Sequence, residues 1–269
     1  MADHARNFFL RFGYLESIAN GDPDLEPSPE GIAALRGLGV EEYLAIRAQL
    51  EEEAAVASAE LDDAEWLQRL DSVPWRGKVV VAIGDSITAD LQSWARILSA
   101  AVKARPAHSE TRMYNLAVSG ETTTGLLSRL PAILDHKPDY VLVMIGTNDA
   151  CRFPPGYIPW ISDQETARNL STFAAALLEA ETNLVWIAPP PLRVDEIERH
   201  WYVGKVPGQW SAEVHERKRQ IVLSQEGMSF DTATVLGRKA DDYLDGLHPS
   251  LEGHLRLVKG LVDASAGAD

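Results

Sequence analysis

From Lys78 onward the chain alternates between short apolar runs and longer amphipathic stretches. Apolar, β-branched-rich runs fall at 78–83, 112–118, 140–145, 184–188 and 228–231, each of strand length. Stretches with helical periodicity lie between them, near 89–104, 122–136, 163–181 and 211–226, with a last one near 251–264. Near-continuous apolar strands separated by helices predict a parallel sheet covered on both faces. The expectation is a three-layer α/β/α domain with a five-stranded parallel sheet over residues 76–269. Sheets of this kind carry their sites at the carboxyl ends of the strands.

Residues 1–75 read differently. Helical patterns near 3–19, 30–37, 40–57 and 61–71 surround a Pro- and Asp-rich break, "NGDPDLEPSPEG", at 20–31. The stretch "VEEYLAIRAQLEEEAAVASAELDDAEWLQRL" is rich in Ala, Leu and Glu and has almost no strand signal. Phe8, Phe12, Leu50, Trp66 and Leu70 recur at spacings that give helices a buried side. This helical N-terminal extension must therefore cover something: the following domain, the mouth of a site, or a second copy of the chain in a homo-oligomer.

Apolar residues make up 45% of the chain and charged residues 24%, enough to build a sizeable core. The net charge of −15 is uneven, with 16 acids and 5 bases in residues 1–75 against 24 acids and 20 bases afterwards. No basic stripe occurs, which argues against nucleic-acid and anionic-membrane partners. Cys151 is the only cysteine, so no internal disulfide can form, and CxxC and HExxH patterns are absent. No metal and no cofactor are expected. No run approaches the ~18 apolar residues of a membrane span. The first residues carry scattered charges without an apolar core of signal-peptide length, so the expectation is a soluble cytoplasmic protein with no membrane insertion.

The first apolar run, Val79 to Ile83, stops abruptly on Gly84-Asp85-Ser86. After the second comes "NLAVSGETT", which puts Ser119 and Gly120 in a loop; after the third come Gly146, Thr147, Asn148 and Asp149. Just before the last helix, "YLDGLHPSLEGH" places Asp245 three residues before His248. Four polar clusters thus gather at one edge of the sheet. A serine hydroxyl needs a neighbouring base to become a nucleophile, and His248 can be that base. A carboxylate three residues earlier can fix the histidine's tautomer. The N–H groups of Ser86 and Gly120 and the Asn148 amide are suitable donors to an oxyanion. Asp85 and Asp149 are expected to make structural hydrogen bonds, His254 to sit in the packing or surface of the last helix, and Cys151 to be a buried thiol.

At these residues the sequence resembles the SGNH hydrolases, the GDSL esterase/lipase family. Gly84-Asp85-Ser86-Ile87 is similar to the nucleophile block, with Ile for the usual Leu. Gly120 matches the glycine block, Gly146-Thr147-Asn148-Asp149 the GxND block and Asp245-Gly246-Leu247-His248-Pro249 the DxxH block. The resemblance covers about residues 77–264 and implies a flavodoxin-like sheet. It also implies Ser86 as nucleophile, His248 as base, Asp245 as its orienter, and Ser86, Gly120 and Asn148 as the oxyanion hole. The GxSxG elbow of the other serine-hydrolase fold is missing.

Two long connections supply candidates for a substrate pocket: Phe153, Tyr157 and Trp160 in 150–163, and Trp201, Tyr202 and Trp210 in 189–210. The expected activity is cleavage of a small-molecule carboxylic ester through an acyl-enzyme. The same residues could serve a carbohydrate or natural-product deacetylase, a thioesterase or an acyltransferase. A reading of another class is a helical interaction module with a non-catalytic hydrolase-like core.

Overall fold

In the computed structural model, which describes residues 8, 10–12, 28–205 and 208–267, five parallel strands form one sheet. They are β1 (Val79–Gly84), β2 (Arg112–Asn115), β3 (Tyr140–Met144), β4 (Asn183–Ala188) and β5 (Met228–Asp231). Their spatial order is β2-β1-β3-β4-β5, with Gly84 opposite Met144, Met144 opposite Ile187 and Ala188 opposite Asp231. The order reverses at β1, so the loops after β1 and β3 diverge there and leave a crevice at the carboxyl ends.

Alternation along the strands divides the core into two faces. Val80, Ala82, Leu142, Met144, Val185 and Ile187 pack on one side; Val81, Ile83, Val141, Val143 and Trp186 pack on the other. In chain order the helices are α1 (Pro29–Leu35), α2 (Val40–Ala59), α3 (Ala64–Asp71), α4 (Ser86–Ala89) and α5 (Trp94–Lys103). They continue with α6 (Thr123–Ser128), α7 (Leu130–Asp135), α8 (Asp163–Glu179), α9 (Val194–Arg199), α10 (Ala212–Leu223) and α11 (Leu251–Ala266). The first face is covered by α5 and α11, through Trp94, Ile97, Leu98, Leu257, Val258 and Leu261. The second is covered by α6, α7, α8 and α10, through Leu126, Ile133, Leu170, Phe173, Leu177 and Val222.

The extension joins the first face. Ala54, Ala57, Leu61, Trp66, Leu70, Val73 and Trp75 lie in the same buried cluster as Val80 and Ala82. One continuous cluster therefore crosses position 75, where the sequence suggested a boundary. Burying a side chain the size of Leu or Phe is worth roughly 1.5–3 kcal/mol, so residues 54–75 contribute substantially to this core.

Several elements differ from the sequence expectation for local reasons. The helix expected at 89–104 is split at Asp90–Ser93. There Asp90 Oδ1 accepts the Gln92 N–H (2.8 Å), and Ser93 Oγ caps α5 by accepting the Arg96 N–H (3.3 Å). The helix expected at 122–136 breaks at Arg129, because Pro131 in the first turn of α7 has no N–H to continue the ladder. The second strand ends early, at Asn115. Its amide donates to the Thr88 carbonyl (2.7 Å) and its Oδ1 accepts the Ala117 N–H (3.1 Å). Helix α9 and a short antiparallel hairpin, Arg152–Phe153 with Ile158–Pro159, had no clear sequence signal. The helix expected at 3–19 lies mostly outside the described residues. No helix among the described residues is long and apolar enough to cross a membrane.

Candidate active site

Strand β1 ends at Gly84, whose φ of +155° suits glycine, and a Cβ there would come within 2.2 Å of the Met144 carbonyl oxygen. This close approach to β3 fixes where the chain turns. Asp85 follows, completely buried, and its Oδ1 caps α4 by accepting the Ile87 N–H (3.1 Å). Burial pushes its carboxyl up to about 6, and the Ile87 N–H offsets only part of that. Ser86 then opens the short helix at the sheet edge, half-buried, with its Oγ 2.9 Å from His248 Nε2.

His248 stands in a tight loop closed by a bridge between Tyr243 and Pro249. Asp245 Oδ1 accepts the backbone N–H groups of Leu247 (2.8 Å) and His248 (2.7 Å), and Oδ2 lies 2.7 Å from His248 Nδ1. A carboxylate at Nδ1 selects the tautomer that carries its proton there and leaves Nε2 to accept from the Ser86 hydroxyl. Burial alone would raise the Asp245 carboxyl. The neighbouring His248 charge, the ring hydrogen bond and the two backbone donors outweigh it and hold the group below its ordinary value.

The remaining two sequence candidates meet across the crevice. Gly120 is exposed, with φ +81°, a conformation in which a side chain would be strained. Its loop stays beside β1 because the Val118 N–H donates to the Gly84 carbonyl (3.0 Å). Asn148 is half-buried and donates one Nδ2 hydrogen to the Glu121 carbonyl (3.0 Å); the amide carries a second hydrogen. Asp149 locks this arrangement from behind. It is fully buried and accepts from the Thr123 N–H (3.1 Å), the Thr123 hydroxyl (2.5 Å) and the Thr166 hydroxyl (3.0 Å). Next to Gly120, burial pushes the Glu121 carboxyl up to about 7 although Arg129 pairs with it.

The aromatic candidates divide into two groups. Phe153 and Trp160 pack edge to face, with centroids 5.4 Å apart, on the hairpin; they and Tyr157 are exposed. The bridge between Arg152 and Gln209 ties that hairpin to the loop of Trp210. Trp201, Tyr202 and Trp210 instead gather around Phe8 and Phe12. The Phe12 ring lies 4.2 Å from the His248 ring. Sequence reasoning gave Phe8 and Phe12 only as apolar residues in need of cover; nothing in their spacing names His248 as the partner.

Cys151 is buried, and burial pushes its thiol up to about 11, which disfavours the reactive thiolate. His254 is fully buried and accepts the Trp94 N–H at Nδ1 (3.1 Å), so it belongs to the packing of α11 and not to the surface. Among the described residues no group of three or more His, Cys, Asp or Glu side chains is arranged to hold a metal ion. The Ser86–His248–Asp245 chain can move a proton from a hydroxyl to an imidazole.

Residues 82–256 match the model of the GDSL-like lipase/acylhydrolase family. An arylesterase of Vibrio mimicus is 34% identical over 121 residues, covering 42% of this chain and 56% of that protein. The esterase TesA of Pseudomonas aeruginosa is 28% identical over 192 residues, covering 68% of this chain and 86% of that protein. The crystal structure of a catalytic mutant of the acetylxylan esterase Axe2 from Geobacillus stearothermophilus superposes with a TM-score of 0.56 at 19% identity, over 72% of this chain and 96% of that one. At that identity the likeness is one of fold.

Proposed function

The chain belongs to the GDSL-like lipase/acylhydrolase family, and on that premise we propose that it is a serine esterase cleaving a small-molecule carboxylic ester through an acyl-enzyme. The observation that carries this reading is the hydrogen-bonded chain from Ser86 Oγ through both nitrogens of His248 to Asp245. Ser86 Oγ attacks the ester carbonyl as its proton passes to His248 Nε2. Asp245 holds the ring and stabilises the imidazolium that forms. The carbonyl oxygen becomes an oxyanion, received by the Ser86 N–H, the Gly120 N–H and the second N–H of the Asn148 amide. Collapse of that intermediate breaks the bond to the alcohol, which leaves with the proton from His248. Water then attacks the acyl carbon as it gives a proton to the same nitrogen; the bond from that carbon to Ser86 Oγ breaks, His248 returns the proton to Oγ, and the carboxylic acid leaves.

The test is turnover of p-nitrophenyl esters of graded acyl length by the full chain and by Ser86→Ala. The variant is expected to keep the wild-type melting temperature and to lose about 10⁴-fold or more in kcat/KM. A fluorophosphonate reagent is expected to leave a single adduct, on Ser86. Retained turnover in Ser86→Ala, or an adduct on another residue, would overturn the reading.

A further inference from the structure

Beside the nucleophile stands a wall that lies outside the segment matched by the family model. The Phe12 ring covers one face of His248, with centroids 4.2 Å apart and planes tilted by 35°. Phe8 meets Phe12 edge on at 5.1 Å and lies 6.3 Å from His248. Leu192, Ile197, Val203, Trp210 and Leu247 complete an apolar cluster around the two rings.

The wall is fixed to the core at four points. Arg11 Nε donates to Asp90 Oδ2 (2.7 Å), and both residues are buried. The Leu91 N–H donates to the Arg11 carbonyl (2.8 Å). The Ser119 hydroxyl donates to the Phe12 carbonyl, one residue before Gly120. Leu10 is buried with Ile32, Ala33 and Tyr43 of the extension's helices. Losing either partner of the Arg11–Asp90 pair would leave the other charge buried and uncompensated, so the contact ties the segment to the core.

Its position assigns the part of the substrate it meets. A leaving alcohol takes its proton from His248 Nε2, so its oxygen sits at that nitrogen and its carbon skeleton lies against whatever flanks the imidazole. Phe12, 7% exposed, flanks it, and Phe8, 9% exposed, backs Phe12. The opposite side stays open, since Gly120 is exposed and Ser86 and Asn148 are half-buried. The wall thus borders the site without closing it.

We infer that Phe12 and Phe8 form the alcohol-side subsite and select esters of apolar, above all aromatic, alcohols. This rests on the serine-esterase reading. The test measures kcat/KM for two series of esters, with release of the acid followed by titration. One series keeps the acetyl group and varies the alcohol through methyl, butyl and benzyl; the other keeps methanol and lengthens the acyl group. Phe12→Ala is expected to lower the benzyl-to-methyl ratio at least about tenfold while the ranking within the acyl series stays as in the wild type. Phe12→Leu is expected to fall between the two, and Phe8→Ala to shift the ratio in the same direction. An unchanged ratio, an equal loss across both series, or a gain on every ester would overturn the inference, the last because it would make the segment an obstructing lid. Fluorophosphonate labelling separates the two levels, because fluoride is too small a leaving group to reach Phe12. Wild-type protein labelled at Ser86 with an unmoved ratio sinks the subsite alone, whereas no label on Ser86 sinks the esterase reading with it.

Discussion

Asp245 and Phe12 both touch His248, one from three residues away in the sequence and one from the far end of the chain. The first contact is local: the loop that carries the histidine also carries the carboxylate, and its backbone donors pin both. The second is purely tertiary and depends on Arg11 reaching Asp90 and on Ser119 reaching Phe12. On the proposed reading, the loops at the strand ends carry the chemistry. If Phe12 and Phe8 form the proposed alcohol-side subsite, the N-terminal segment shapes what can approach that chemistry. The two contacts come from parts of the chain that can be broken separately.

The largest effect is expected on the local side. Asp245→Asn removes the acceptor that fixes the His248 tautomer, and kcat/KM should fall by about 10³- to 10⁴-fold with the fold intact. A variant within tenfold of wild type would mean that the loop backbone alone orients the ring. Because Asp245 is held below its ordinary value, it stays ionised across the working range. Asp245 should then add no step to the acid limb of the wild-type profile above pH 5, and a carboxylate step there that survives in both Asp85→Asn and Glu121→Gln would contradict this.

A smaller loss is expected from Gly84→Ala. The added methyl meets the Met144 carbonyl at 2.2 Å, so either β1 or β3 must move. Overpacking of this kind costs typically about 1–3 kcal/mol, readable as a lower melting temperature with a matching loss of turnover. Unchanged stability would show that the strand end has slack.

Arg11→Met tests the tertiary side. It should lower the melting temperature and reduce the benzyl-to-methyl ratio as Phe12→Ala does, with Ser86 labelling by fluorophosphonate retained. Loss of labelling would show that the segment also sets the reactive geometry, and the division between the two regions would collapse.

The smallest effect is a pH dependence beside Gly120. Burial pushes the Glu121 carboxyl up to about 7 from an ordinary 4.5. A carboxyl that holds its proton more tightly folded than unfolded contributes stability below the unfolded value and loses it as pH rises through the folded one. The loss from this group therefore runs from about pH 4.5 to 7. Between pH 5 and 8 the melting temperature of Glu121→Gln should fall less than that of wild type, by a few degrees at most. Equal falls would remove Glu121 as the cause.

Strand positions and the four polar blocks were legible because each rests on a short-range signal. Apolar runs such as Val79–Ile83 mark the strands, and the Asp245-to-His248 spacing marks a turn that joins acid and base. The breaks at Asp90–Ser93 and Arg129 were less legible, since capping side chains and Pro131 act against an otherwise helical periodicity. The anchoring of Phe12 was not legible at all. Asp90, the partner of Arg11, and Ser119 and His248, the partners of Phe12, are spread along the chain, and only the closed fold brings them together.

Whether Ser86 takes up the acyl group is read most directly by acid-quenching the enzyme within milliseconds of mixing with p-nitrophenyl butyrate and weighing the intact chain and its peptides. A butyryl adduct should appear on the peptide containing Ser86 at the rate of the p-nitrophenol burst and disappear as substrate is exhausted. Steady release of p-nitrophenol with no acyl group on Ser86, or with the acyl group on another residue, would contradict the assignment.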